Sequence, residues 1–240
     1  ELDEAEPENK KEVNNDEVEN EETGVRTAFG AETTVTKTYI MQRESGSTVN
    51  GVTTYYAIGA LRSGRGYKAD SISTITFKKG TDAPTGTEST WNVSYDKSKM
   101  EVLAFAVPSS TVSGKYDLYI GTTGDQICLP ASAVEFFAYY TNLTEIKGIE
   151  LLDSSDVTDM RAMFYGDTNL KSIDLSTFNT TKLTSTWDMF NGCTSITSID
   201  LSSFNTSNVQ YFIWMFYNCK NLKILKINKN IFTTSNVTNM

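Results

Sequence analysis

The sequence predicts a mainly β protein with short helices: a β-rich N-terminal module followed by a solenoid of about 26-residue units, cut short at the C-terminus. Three observations lead there. Short runs rich in Thr, Val, Ile, Tyr and Phe fill residues 25–130. A Met-Phe pair recurs at Met163-Phe164, Met189-Phe190 and Met215-Phe216, 26 residues apart each time. Charge, finally, is concentrated at one end of the 240-residue chain.

That end is residues 1–22, where eleven carboxylates face only Lys10 and Lys11. The segment alone carries the whole formal charge of −9, leaving nineteen acidic and nineteen basic residues elsewhere. With almost no apolar side chains, residues 1–24 cannot bury enough surface to offset their ordering entropy, so a disordered acidic leader is expected. A body with no net charge offers no basic field for phosphates, and nucleic acid is not an expected partner.

Residues 25–132 form the expected β-rich module. Candidate strands are Thr34–Met41, Thr53–Leu61, Ile72–Lys79, Ser89–Tyr95, Glu101–Val107 and Tyr116–Ile120, since β-branched and aromatic runs bounded by Gly, Ser, Asp and Pro read as strands. In the third, Ile72, Thr74 and Thr76 alternate with Ile75 and Phe77. Tyr116–Leu129 reads as a hairpin around Gly121–Gly124. After Pro130, Ala133–Tyr140 suits a helix start.

Residues 133–240 carry the repeat, with a degenerate first unit at 133–151. Val157, Leu183 and Val209 keep the interval of 26, as do Leu170, Ile196 and Leu222, and then Ile173, Ile199 and Leu225. Phe178 and Phe204 follow suit, while Phe232 comes two residues late after an insertion within 228–231. Leu170-Lys-Ser-Ile173-Asp-Leu175 is the LxxLxL pattern of a leucine-rich repeat, with Ile173 and Leu175 facing inward on a short strand. Val157, Met160, Met163 and Phe164 share one face of a helical turn or two, with Ser155-Asp156 and Ser207-Asn208 placed as N-caps. Stacked copies would bury what one copy cannot.

The cadence of residues 155–180, and the closer second copy with Cys193, Ile199–Phe204 and Thr206–Val209, resembles the BspA-like leucine-rich-repeat surface proteins of bacteria. The resemblance covers 152–240 clearly and the preceding capping module more weakly. It implies a bacterial cell-surface or extracellular location and an adhesin-like role. The expected partners are a host or matrix protein or glycan, another cell surface, and further repeats of the same chain beyond Met240. The alternative is a structural spacer that displays another domain from the cell wall.

No catalytic chemistry is expected. The chain has no histidine, which removes Ser-His-Asp and Cys-His catalysis and the usual zinc ligands. Neither a cofactor nor a metal is expected: Cys128, Cys193 and Cys219 lack metal-ligand spacing, and Asp153, Asp156 and Asp159 lack the Gly and Glu of a calcium loop. No apolar run is long enough to insert in a membrane. Cys193 and Cys219, at one position of adjacent copies, read as buried thiols of a core ladder, with a disulfide between them as the alternative. Candidate ligand contacts are the outward strand positions Ser172, Asp174, Ser198, Asp200 and Lys226 on a concave side, together with Trp187, Tyr211 and Trp214, which break the repeat with aromatics.

Overall fold

The computed structural model describes residues 25–28, 31–34, 37–40, 48–49, 52–53, 67–94 and 102–240. The acidic leader expected at 1–24 lies outside them, as does most of the candidate strand Thr53–Leu61. The chain divides into two compact parts, Glu1–Val35 and Thr36–Met240. In the first, β1 (Val25–Ala28) pairs antiparallel with β2 (Ala31–Thr34).

The second part begins with β3 (Lys37–Tyr39) and a small antiparallel pair, β4 (Thr48–Val49) and β5 (Val52–Thr53). After a 3₁₀ turn, Ala69–Ser71, come β6 (Ile72–Lys79), β7 (Ser89–Asn92), β8 (Val102–Pro108), β9 (Tyr116–Thr122), β10 (Gln126–Cys128) and β11 (Glu145–Lys147). A mixed sheet of order β11-β6-β9-β8-β7 results, parallel on the β11-β6-β9 side and antiparallel on the other. Strand β6 coincides with the expected run, but its register slips between Ile72 and Thr74, so Ile72 and Ile75 are both buried instead of facing opposite ways. The hairpin expected at Tyr116–Leu129 does not form. Strand β9 stays between β6 and β8, while β10 crosses to a separate parallel sheet between β3 and β12 (Leu152–Asp153).

The 26-residue period reappears as β13 (Ser172–Asp174), β14 (Ser198–Leu201) and β15 (Ile224–Ile227), a parallel three-stranded sheet. Ile173, Ile199 and Leu225 align, and so do Asp174, Asp200 and Lys226. The leucine-rich-repeat solenoid expected from the sequence is not what forms. The described sheets are small, of two to five strands, and none is closed or solenoid-like. The short helices are missing as well: among the described residues the only helical elements are the 3₁₀ turns Ala69–Ser71 and Ile149–Leu151.

Backbone conformation explains the missing helices. Glu135, Ala162, Asp188 and Trp214 have φ of 54°, 52°, 58° and 53°, and four residues further on Tyr139, Gly166, Gly192 and Asn218 have φ of 62°, 72°, 80° and 59°. A left-handed residue every four positions stops an α-helix before its first i→i−4 bond. The N–H groups turn instead to the next copy: Met160, Ala162, Phe164 and Gly166 donate to the carbonyls of Ser185, Trp187, Met189 and Asn191 at 2.8–3.0 Å. Ala133–Tyr140, the other expected helix, does the same, with Glu135, Phe137 and Tyr139 donating to Arg161, Met163 and Tyr165. The expected N-caps therefore have no helix to cap. Two residues upstream of them, Asp153, Asn179 and Asn205 accept the backbone N–H of Ser155, Thr181 and Ser207 at 2.9, 3.2 and 3.0 Å, closing a turn in each copy.

The core is continuous from Ile40 through Phe77 and Phe137 to Met215. Its spine is a file of phenylalanines: Phe137, Phe164, Phe190 and Phe216 stack at 5.2, 5.2 and 5.8 Å between centroids. Phe77 meets the file edge-on at 6.1 Å from Phe137, joining the β-rich sheet to the repeats.

Candidate functional site

Two backbone ladders run along the repeat and carry separate candidate faces. On the strand ladder β13-β14-β15, the inward residues Ile173 and Ile199 are buried and the alternate positions point out, as strand geometry requires. Ser172, Asp174, Ser198, Asp200 and Lys226 stand on this outward side, with Ser172 beside Ser198 and Asp200 between Asp174 and Lys226.

Most of the charge on that face is already engaged. Asp174 and Asp200 each accept a backbone N–H two residues ahead, from Ser176 at 2.9 Å and Ser202 at 3.0 Å. Lys226 Nζ donates to Asp200 Oδ2 at 2.9 Å. Partial burial opposes ionisation of Asp200, but the hydrogen bonds from Lys226 and Ser202 and the Lys226 charge outweigh it, so its pKa lies below the usual carboxylate value. The same hydrogen bond, aided by the charges of Asp200 and Asp174, raises the pKa of Lys226.

The second ladder follows the turns. Parallel bridges link Ser132, Asp159, Ser185, Tyr211 and Asn239 in sequence. Trp187 takes the place that Arg161 holds one copy earlier, Tyr211 that of Asp159 and Ser185, and Trp214 that of Ala162 and Asp188. All three are open to solvent, at 37%, 45% and 59% of full exposure. The sequence reading passed over Tyr217, which is 57% exposed and lies 6.1 Å from Trp214 between ring centroids, with planes 38° apart. The spacing by three of Tyr211, Trp214 and Tyr217 is the available signal in the sequence.

In the first copy the same strip is held together internally. Arg161 Nε donates to Asp159 Oδ2 at 2.8 Å, and Tyr139 and Tyr165 pack at 5.2 Å. In the later copies Asn191 donates to Asp188, and Trp214 and Tyr217 make the ring contact. Trp187 thus lies on the turn ladder of the second copy and Tyr211 and Trp214 on that of the third, while the strand-face residues keep to the other ladder.

The thiols belong to the core. Cys193 Sγ donates to the Phe164 carbonyl at 3.0 Å, and Cys219 Sγ to that of Phe190 at 3.1 Å. Cys128, Cys193 and Cys219 are all free of disulfides. Burial, with the nearby Asp167 carboxylate, pushes the Cys193 thiol well above its usual value, and burial pushes Cys219 up to about 11. Asp167 takes the cysteine position in the first copy and is itself buried, accepting the Tyr140 N–H at 2.8 Å. No group of three or more His, Cys, Asp or Glu side chains that could hold a metal occurs among the described residues. Nor does any helix among them have the length and apolarity to cross a membrane.

Comparison with known proteins corrects the resemblance drawn from the repeat cadence. No curated protein and no solved structure matches the chain. BspA-like leucine-rich repeats find no support, and the surface-protein reading loses the family that suggested it. What the comparison does identify is residues 132–240, a little under half of the chain, as similar to the family described as Mycoplasma protein of unknown function, DUF285.

Proposed function

We propose that this chain is a non-enzymatic binding protein that works at the cell surface in an adhesin-like manner, with its repeat copies presenting an interaction surface. The carrying observation is Trp187, 37% exposed in a copy that has a further copy on each side. A large aromatic left in water between two flanking copies suits contact with a partner. The same position holds Arg161 one copy earlier, so the turn does not require an aromatic there. Ser172, Asp174, Ser198, Asp200 and Lys226 are a weaker platform, since their carboxylates already serve the backbone and Lys226.

The test is immobilisation of the whole chain and exposure to a panel of matrix proteins, glycans and intact cells, with protease shaving of intact source cells to check location. Saturable binding that falls when Trp187 and Trp214 are replaced supports the reading. Absence of binding across the panel, or protection of the chain from external protease, counts against it. The spacer reading draws on a different observation, the hydrogen bonds that join each copy to the next. It expects unchanged cell adhesion when the aromatic strip is removed.

A further inference from the structure

We propose that the exposed lysines Lys171, Lys220, Lys223 and Lys229 form a docking face for a sulfated glycan; this names a partner class for the binding reading above and rests on it. Charge segregation is the first reason. From residue 201 to residue 240 the chain contains no Asp or Glu, and its charged side chains are Lys220, Lys223, Lys226 and Lys229. The earlier copies, 132–200, carry ten carboxylates against four cations. A body that is neutral as a whole therefore gathers positive charge on one part of itself.

Pairing is the second reason. Among the described residues the ion pairs engage Lys79, Lys147, Arg161, Lys182 and Lys226, and none engages Lys171, Lys220, Lys223 or Lys229. The carboxylates of the strand face are already engaged, Asp174 by the Ser176 N–H and Asp200 by Ser202 and Lys226. Four ammonium groups are therefore left for a partner. Their exposure is a property of the face and not of the last copy. Lys171, Thr197 and Lys223 form one column, with the Thr197 N–H donating to the Lys171 carbonyl at 2.8 Å and the Lys223 N–H to that of Thr197 at 3.0 Å. Lys171 and Thr197 are exposed although a copy lies on each side of them.

Geometry is the third. Two rungs separate Lys171 from Lys223, about 10 Å, and the length of β15, about 13 Å, separates Lys223 from Lys229. Charges so spread, with no arginine among them and no helix terminus, do not grip a single small anion. They suit a long chain that carries fixed charges along its length, which flexible lysine stems can follow. Residues 219–230 contain no aromatic side chain, so no ring platform for stacked bases stands among these lysines. Nor do the described residues offer an α-helix to enter a duplex groove. A sulfated glycan needs neither.

The whole chain has a formal charge of −9, so a polyanion is repelled at long range and saturable binding reports a local face. The chain is titrated calorimetrically with a heparin dodecasaccharide as the sulfated probe. Unsulfated dextran, a DNA duplex of equal charge, and vesicles of phosphatidylcholine with phosphatidylserine serve as comparisons. Heparin is expected to bind with log affinity falling linearly against log salt, dextran not to bind, and the duplex and vesicles to bind about tenfold more weakly or less. Lys171→Gln, Lys223→Gln and Lys229→Gln should each weaken heparin binding about threefold or more and lower the salt slope by about one. All three lysines are exposed, so the unfolding midpoint should not move. Lys79→Gln, in β6, should change neither affinity nor slope.

Failure of heparin to bind, or unchanged affinity in all three lysine variants, overturns the inference. A duplex or vesicle bound as tightly as heparin overturns it too. If heparin fails while capture of a matrix protein or of cells depends on Trp187, the glycan assignment falls and the binding reading stands. If capture fails as well, both fall.

Discussion

Phe164 and Phe190, 26 residues apart in the chain, lie with their rings 2° from parallel and 5.2 Å apart, both fully buried. Phe190 also contacts Phe216, so it has an aromatic neighbour on each side. Phe190→Ala should cost about 3–5 kcal/mol, as for other large-to-small changes in a packed core. Phe216→Ala should cost clearly less, because Phe216 is only partly buried. Denaturant titration of the two variants checks this, and equal losses would mean that the file is not the spine.

The left-handed positions make a separate prediction. A Cβ added at Gly192 meets nothing closer than Gly166 Cα at 3.5 Å, so there is room for it, yet φ is 80°. Gly192→Ala should therefore destabilise by about 1–2 kcal/mol through backbone strain alone. The reverse change at Ala162, where φ is 52°, should stabilise by about 0.5–1 kcal/mol after the entropy of glycine is counted. Opposite signs in thermal melts are the expected result, and matching signs would point to packing as the cause.

The thiols should be slow to react in the folded chain. Cys193 is buried with its thiol well above the ordinary value, and Cys219 stands at about 11, so little thiolate exists at pH 8. Alkylation followed by mass spectrometry should label Cys219 slowly and Cys193 more slowly still, with both labelled fast in denaturant. Rapid labelling of Cys193 without denaturant would contradict its hydrogen bond to the Phe164 carbonyl.

Asp200 and Lys226 give a small pH dependence with a definite sign at each end. The folded pKa of Asp200 is lowered, so its contribution is present above the unfolded value of about 3.9 and is lost as pH falls through the folded value. That of Lys226 is raised, so its contribution is full below about 10.4 and is lost as pH rises through the folded value. Asp200→Asn should remove both slopes from the stability profile while leaving the neutral plateau only slightly lower. Unchanged acid and alkaline limbs would show that the pair is not formed in solution.

The sequence revealed the period more readily than its geometry. Inward positions such as Ile173, Leu175, Ile199 and Leu201 were legible because a strand alternates, and all four are buried. The turn segments misled for a physical reason. Val157, Met160, Met163 and Phe164 are all buried, and their spacing is that of a helix face. The same spacing arises when consecutive turns close with left-handed residues, and Ala162 and Trp214 give no sign of positive φ in their identities. Partner choice was equally hidden at β10, which is too short for its sequence to say whether it folds back on β9 or crosses to β3 and β12. Of the candidate site, Trp187, Tyr211 and Trp214 stood out by breaking the repeat, whereas Asp174 and Asp200 looked free only because their turn-closing bonds to Ser176 and Ser202 are local.

The insertion near the last copy shows which lengths this architecture will accept. Leu225 aligns with Ile199 at the usual 26 residues, yet Asn239 aligns with Tyr211 at 28, and the surplus is taken up where Ile231 and Phe232 both donate to the Asn228 carbonyl. Downstream register survives because the extra residues form a bulge at a corner and do not enter either ladder. Length variation is therefore modular in two ways. Duplicating a whole copy reproduces the same neighbours, and small indels are harmless at the 228–232 corner. Deleting Asp200 inside β14 would instead make Ile199 and Leu201 adjacent, so that one of them turns outward and the strand beyond it changes face. Genetic drift in such a chain should leave copies that differ in number and corner length, with the spans between corners held fixed.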